Sequence, residues 1–182
     1  MMRRTLPCLP ALLALLAAAP AAAEKADRNK PTEVQAARMW FDDVKQINSF
    51  SGNVHLTRGS LQMKAERMTL NQDAAGFQFL ELHGGAGKTA SYRQKREGLD
   101  QWVEGAADRI EYDSKSELVK FHTRARVRRL QGNQVLEEIS GATIVYDSVR
   151  ETFQVQNGPA TAGQDNRITT VIQPRKPDQD TK

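Results

Sequence analysis

Apolar and polar residues alternate one for one along Phe50–Leu56, Leu61–Ala65, Arg109–Tyr112, Phe121–Val127 and Ile144–Tyr146. Successive side chains of a β-strand point to opposite faces, so a period of two marks strands with one buried face. Between these runs stand Gly52-Asn53, Arg58-Gly59-Ser60, Asp73 to Gly76, Gly132-Asn133 and Asn157-Gly158-Pro159, residue types that favour turns. No stretch beyond residue 23 carries a helical stripe. The pattern predicts an all-β antiparallel sandwich or jelly roll of roughly fourteen to eighteen short strands.

The chain also resembles itself. Ala36–Asp42 aligns with Ala107–Asp113, so that Arg38/Arg109, Met39/Ile110, Phe41/Tyr112, Asp42/Asp113, Phe50/Phe121 and Leu56/Val127 all differ by 71 positions. Further on, Leu70/Tyr146, Asn71/Asp147, Phe77/Phe153 and Phe79/Val155 differ by 76, as though the second copy gained five residues near Gly132. Two similar strand sets are expected to stack into one continuous sheet, each covering the other's apolar face.

At the start, Arg3 and Arg4 precede an apolar run from Leu6 to Ala19 and then Pro20-Ala-Ala-Ala23. A run of 14 residues is short of the roughly 20 that cross a bilayer, and prolines interrupt it. The segment 1–23 reads as a cleavable secretory signal, with the domain at 24–173 and a disordered polar tail at 174–182. Cys8, the one cysteine, falls in the signal, so no disulfide, thiol chemistry or cysteine metal site is expected. Setting aside Arg3 and Arg4, 24 basic residues face 22 acidic ones of interspersed sign, which gives no case for a nucleic-acid binder.

Motifs for chemistry are weak. Gly84–Thr89 looks like a phosphate loop but has Leu82 where the leading glycine belongs, and no apolar helix follows; a loop between strands is the expectation. His55, His83 and His122 are isolated, and the pairs Asp42-Asp43 and Glu137-Glu138 are adjacent rather than convergent. No serine stands in a nucleophile elbow, so neither an enzyme nor a metal or cofactor site is expected. Arg124, Arg126 and Arg128 alternate with Phe121, Thr123, Ala125 and Val127. They read as a solvated row relieved by Glu137 and Glu138 across the turn, or else as an attractor of lipid phosphates or an anionic membrane surface.

Five segments, in this order behind a signal, resemble the LptA/OstA family of periplasmic lipopolysaccharide-transport proteins. They are Phe50–Val54 (Phe-Ser-Gly-Asn-Val), Gly59–Met68, Val103–Asp113, Gly141–Asp147 and Arg167–Pro174. The resemblance implies an open, twisted antiparallel jelly roll (OstA-like) whose sheets diverge into an apolar slot, which holds the lipid A acyl chains and leaves the phosphorylated head in water. Each buried methylene is worth about 0.8 kcal/mol, so apolar area is expected to govern capture with little headgroup selectivity. It also implies partners: a membrane-anchored inner-membrane protein and an outer-membrane translocon of the same fold, and further copies of the chain. A cleavable signal and the end at Lys182 point to the soluble bridging member.

Strand parity or the match to family positions places Phe41, Tyr92, Tyr112, Phe121 and Tyr146 on the slot wall. Thr32, Val34, Val54, Leu56 and Met63 are added from the first half, with Leu70, Phe79, Ile110 and Phe153 after them. Met39 beside Trp40, and Trp102 beside Val103, leave open which neighbour faces in. The first strand, through Val34 and Ala36, and the last, through Ile168, Thr170 and Ile172, are proline-free edges expected to join copies head to tail. Two rivals remain: a structural or chaperone-like β protein with a packed interior that binds partners by its edges, and an enzyme acting on envelope glycans. Small inward residues such as Ala36, Ala65 and Ala125 argue against the first, and the missing constellation argues against the second.

Overall fold

The computed structural model describes residues 27, 29–96, 99–157 and 168–174. The expected signal peptide, Arg167 and the tail beyond Pro174 lie outside the described residues. The first six strands are β1 (Glu33–Gln35), β2 (Arg38–Asp42), β3 (Ile47–Arg58), β4 (Leu61–Gln72), β5 (Gln78–His83) and β6 (Ala90–Lys95). Six more follow: β7 (Gln101–Ala107), β8 (Arg109–Asp113), β9 (Leu118–Gln131), β10 (Gln134–Asp147), β11 (Thr152–Gln156) and β12 (Thr169–Ile172). The strands are fewer and longer than the turn spacing predicts. β3 and β4 run 12 residues and β9 and β10 run 14, because each bends in its middle instead of ending.

The bend has a backbone cause. Gly52 and Asn53 in β3 have φ of 84° and 48°, and the register against β4 shifts between Ser51 and Val54. Gly52-Asn53 is therefore a bulge inside a strand, not a turn between two; such a bulge kinks the strand and increases its twist. Thr123 and Arg124 repeat it in β9 with φ of 61° and 53°. Consequently Thr123 is exposed and does not continue the buried parity of Phe121, Ala125 and Val127.

Because the four long strands bend, each serves two sheets, and all pairings are antiparallel. One sheet has the order β2-β3-β4-β5-β8-β9-β10-β11. The other has the order β1-β3-β4-β6-β7-β9-β10-β12. They share one apolar core. The bends form a closed spine, and the free strand ends meet along the opposite side as a mouth. β1 to β6 and β7 to β12 are the two copies seen in the sequence, joined by the β5–β8 and β6–β7 pairings.

The registers correct the second alignment. Leu70 pairs with Leu80, and Tyr146 pairs with Phe153, so the counterpart of Phe153 is Leu80 and that of Val155 is Leu82. The first copy spends three more residues on this hairpin turn than the second. Matching Phe79 to Val155 slipped the strand by an odd number and exchanged its faces.

Candidate functional site

Cross-strand pairs share a face, so the registers spell out the inner surface row by row. One row reads Phe41, Asn48, Leu70, Leu80, Tyr112, Val119, Tyr146, Phe153. The next, closer to the spine, reads Met39, Phe50, Met68, Leu82, Ile110, Phe121, Ile144, Val155. The facing sheet contributes Val34, Leu56, Met63, Tyr92, Gly105, Val127, Ile139, Thr170. Three mostly apolar rows, broken by Asn48 and Thr170, thus run the length of the sandwich, and the second and third meet at Phe121 and Tyr92, whose rings lie edge to face at 5.9 Å. Full burial of each such side chain stabilises by about 1.5–3 kcal/mol.

Along these rows the expected wall residues divide. Val54, Leu56, Met63, Leu70, Tyr92, Ile110, Tyr112, Phe121 and Tyr146 are buried in mutual contact through the middle. Val34 and Phe153 are half-buried against them, and the Phe153 ring stacks on Tyr146 at 4.6 Å. Thr32, also half-buried, donates its hydroxyl to Gln78 Oε1 at 3.2 Å across the two sheets. Phe41 lies on an inner row yet is 45% exposed at the open end. Phe79 is the misplaced residue: it pairs with Asn71 and Asp113 on the outer face, and Leu80 and Leu82 take the inner one. Val103 faces in while Trp102 faces out beneath the Arg93 guanidinium, 4.4 Å from its ring. Met39 is on the inner face and Trp40 on the outer, and both are exposed at the end strand. At the other end Ile168, Thr170 and Ile172 are exposed, with Thr170 and Ile172 paired to Ile139 and Glu137, and Ala36 is exposed at the first.

The mouth is laced by polar groups that sequence reasoning passed over. Arg58 ends β3 two residues after Leu56, on the inward parity, and is buried. It donates to Tyr112 Oη, and that hydroxyl lies 3.4 Å from Glu117 Oε2 as its donor. Burial pushes the Tyr112 phenol up to about 12; Arg58 pulls it down and Glu117 up, and the group stays a neutral hydroxyl. Ser148 Oγ closes the chain on Glu117 at 3.3 Å. Farther along, Arg96 reaches across to Glu151, with 3.2 Å from Nε to Oε1. The available signal was a charge on an inward position, where an alternating strand calls for an apolar residue.

On the outer surface the arginine row finds partners other than those expected. Arg124 Nε donates to Asp108 at 2.8 Å and Arg128 to Glu104 at 2.8 Å, and only Arg126, at 3.4 Å from Glu138, uses the hairpin. Glu137 is taken by Arg129 instead. Gly84–Thr89 connects β5 to β6 at the spine, with Gly84 N donating to Asp108 O at 2.9 Å. Among the described residues no group of three His, Cys, Asp or Glu side chains is placed to hold a metal ion, and no helix is long and apolar enough to cross a membrane.

Comparison with known proteins agrees with this geometry. Residues 33–152 match the family model described as LptA/(LptD N-terminal domain) LPS transport protein. The lipopolysaccharide export system protein LptH of Pseudomonas aeruginosa is 33% identical over 179 residues, covering 94% of this chain and 95% of its own. LptA of Escherichia coli K12 is 26% identical over 152 residues, 84% of this chain and 76% of the relative. The crystal structure of the P. aeruginosa LptH, the LptA-homologous periplasmic component of the lipopolysaccharide transport device, superposes with a TM-score of 0.69 at 29% identity. It covers 81% of this chain and 99% of that one. A twelve-stranded antiparallel sandwich, an apolar interior open at both ends and a family match over most of its strands make this chain a member of the LptA/LptD N-terminal domain family of lipopolysaccharide transport proteins, a transport component and not an enzyme.

Proposed function

We propose that the protein, secreted to the periplasm by the leader at 1–23, shields the acyl chains of lipopolysaccharide between its two sheets. In this reading it bridges inner- and outer-membrane transport complexes by end-to-end assembly. The observation that carries this is the three rows, which are buried in the middle and run out at the end strands to side chains that are exposed, as at Met39 and Phe41, or only half-buried, as at Val34, Phe153 and Val155. An interior that merely stabilised a fold would gain nothing from continuing its apolar rows to bare edges, which are aggregation hazards unless a partner covers them. Acyl chains enter by the mouth, where side-chain links and, among the described residues, no backbone ladder hold the sheets together.

The internal joints supply the template for assembly. β5 pairs β8 and β6 pairs β7, and their end counterparts are β11 and β12 on one side and β2 and β1 on the other. Copying the internal registers places Phe153 opposite Phe41 and Thr170 opposite Val34 of the next copy. The mature chain carries no cysteine, so the double variant Val34→Cys, Thr170→Cys is expected to form disulfide-linked multimers on mild oxidation. Neither single variant is expected to go beyond dimers. A double variant that stays monomeric sinks this register. Mass analysis of lipid co-purified with the mature chain, with photo-crosslinkers at Phe41 and Phe153 against outward Lys64 and Glu111, tests the carriage. Labelling confined to the outward pair would reject it.

A further inference from the structure

A cavity of 570 Å³ opens at the mouth, between the free ends of the two sheets. Lys30, Thr32 and Arg58 line it from the β1 and β3 side, and from the other sheet come Gln78, which opens β5, and Lys115 and Glu117 of the β8–β9 turn. Among its described lining residues, Arg58 and Glu117 alone are buried. Arg58 is 7% exposed, and its Nε has no hydrogen-bond partner although Nη2 is held by Tyr112. Among the described lining residues three cations stand against one carboxylate, a positive balance.

We propose that this pocket seats a phosphate group of the glycolipid head, with Arg58 as its inner contact and Lys30 and Lys115 at its rim. The assignment rests on the proposed lipid carriage and adds a headgroup preference to it. A buried N–H without an acceptor is costly, and a guanidinium fork offers a phosphate several donors at once. The pocket's place matters equally: it lies where acyl chains leaving the interior give way to the polar head, so one molecule fills slot and seat together. The Arg126 and Arg128 groove on the outer surface shares no such continuity, and its arginines are already paired to Glu138 and Glu104.

The test compares bisphosphorylated lipid A with the same lipid stripped of phosphate, bound to the mature chain. The wild type is expected to hold the phosphorylated form about tenfold more tightly. Lys30→Gln with Lys115→Gln, both exposed positions, is expected to lose part of that preference, and Arg58→Gln all of it, while the dephosphorylated lipid still binds. If Arg58→Gln fails to fold, the lysine pair carries the test alone. Equal affinity of the wild type for both lipids, or a preference untouched by either variant, overturns the seat but leaves carriage standing. Failure of both lipids to bind overturns carriage itself. Inorganic phosphate is expected to erode the preference without releasing the stripped lipid. If phosphate alone binds as tightly as the phosphorylated lipid, the pocket serves a free anion and the headgroup assignment falls.

Discussion

Strands β2 and β8 hold the same position in the two repeats, and their inward side chains meet opposite fates. Met39 and Phe41 are 61% and 45% exposed, whereas Ile110 and Tyr112, 71 positions on, are at 0%. Nothing in their chemistry separates them. β8 lies between β5 and β9, while β2 has β3 on one side and, among the described residues, no strand on the other. The far end repeats the contrast, since Phe153 and Val155 on β11 are half-buried where Leu80 and Leu82 on β5 are enclosed. Exposure at the ends therefore follows from strand position, and the proposed end-to-end assembly predicts that an added neighbour encloses the end strands as the middle ones are enclosed.

The sharpest way to break this equivalence is a charge at one repeat position in both settings. Ile110→Asp places a carboxylate between apolar partners and is expected to cost about 4 kcal/mol or more, enough to unfold the domain. Met39→Asp is expected to change stability by no more than about 0.5 kcal/mol while weakening self-association. Thermal melts and light scattering at rising concentration check the pair. Equal destabilisation by the two would mean that β2 is covered in the isolated chain. By the same physics, aspartate at Tyr112 or Phe121, two residues expected on the slot wall, would destroy the core that surrounds it. Phe41 and Phe153 are the usable sites.

A smaller effect is expected from exchanging residues between repeats. Gly105 and Val34 are counterparts, pairing with Val127 and Leu56. A Cβ on Gly105 would lie 2.2 Å from Cε1 of Phe121, so the second copy gave up a side chain there to admit the ring. Gly105→Val is expected to cost about 3 kcal/mol through overpacking, and Val34→Gly at the open edge about 1 kcal/mol. Denaturant midpoints decide this. A loss below about 1 kcal/mol for Gly105→Val would show that Phe121 swings aside freely, and the core would be looser than its burial implies.

The sequence carried the strand period, the turns at Gly59 and Gly132 and the offset of 71, because alternation and glycine leave local marks. That offset holds even in the backbone: Gln46 and Glu117 end equivalent turns with φ of 54° and 55°. What it did not carry depends on non-local facts. The bends in β3 and β9 look like a turn and a plain strand until the register against the neighbouring strand is known. Phe79 was misassigned because a hairpin turn changed length by an odd number. The mouth pocket gathers Lys30, Arg58 and Lys115 from three separate segments, and only Arg58, a charge at an inward position, left any trace.

The least effect is expected at the bulges, where two repeats solve one backbone problem with different residues. Gly52-Asn53 and Thr123-Arg124 adopt the same left-handed pair, and the outer contact is also conserved in form, Ala37 N donating to Gly52 O at 2.9 Å and Asp108 N to Thr123 O at 3.0 Å. Glycine and asparagine enter this region cheaply, but a β-branched threonine pays about 1–2 kcal/mol there. Part of that cost is offset because glycine gives the unfolded chain more freedom, so Thr123→Gly is expected to stabilise by about 0.5–1 kcal/mol and raise Tm by about 2–3 °C. Arg124 keeps its bonds to Asp108 throughout, which isolates the backbone effect. The reverse exchange is not symmetric: a Cβ on Gly52 would sit 2.7 Å from Cβ of Ala37, so Gly52→Thr adds a clash to the strain and is expected to destabilise by about 2 kcal/mol. If Thr123→Gly instead lowers Tm, the threonine side chain at the second bulge contributes more than its backbone costs, and the two bends are held by different means.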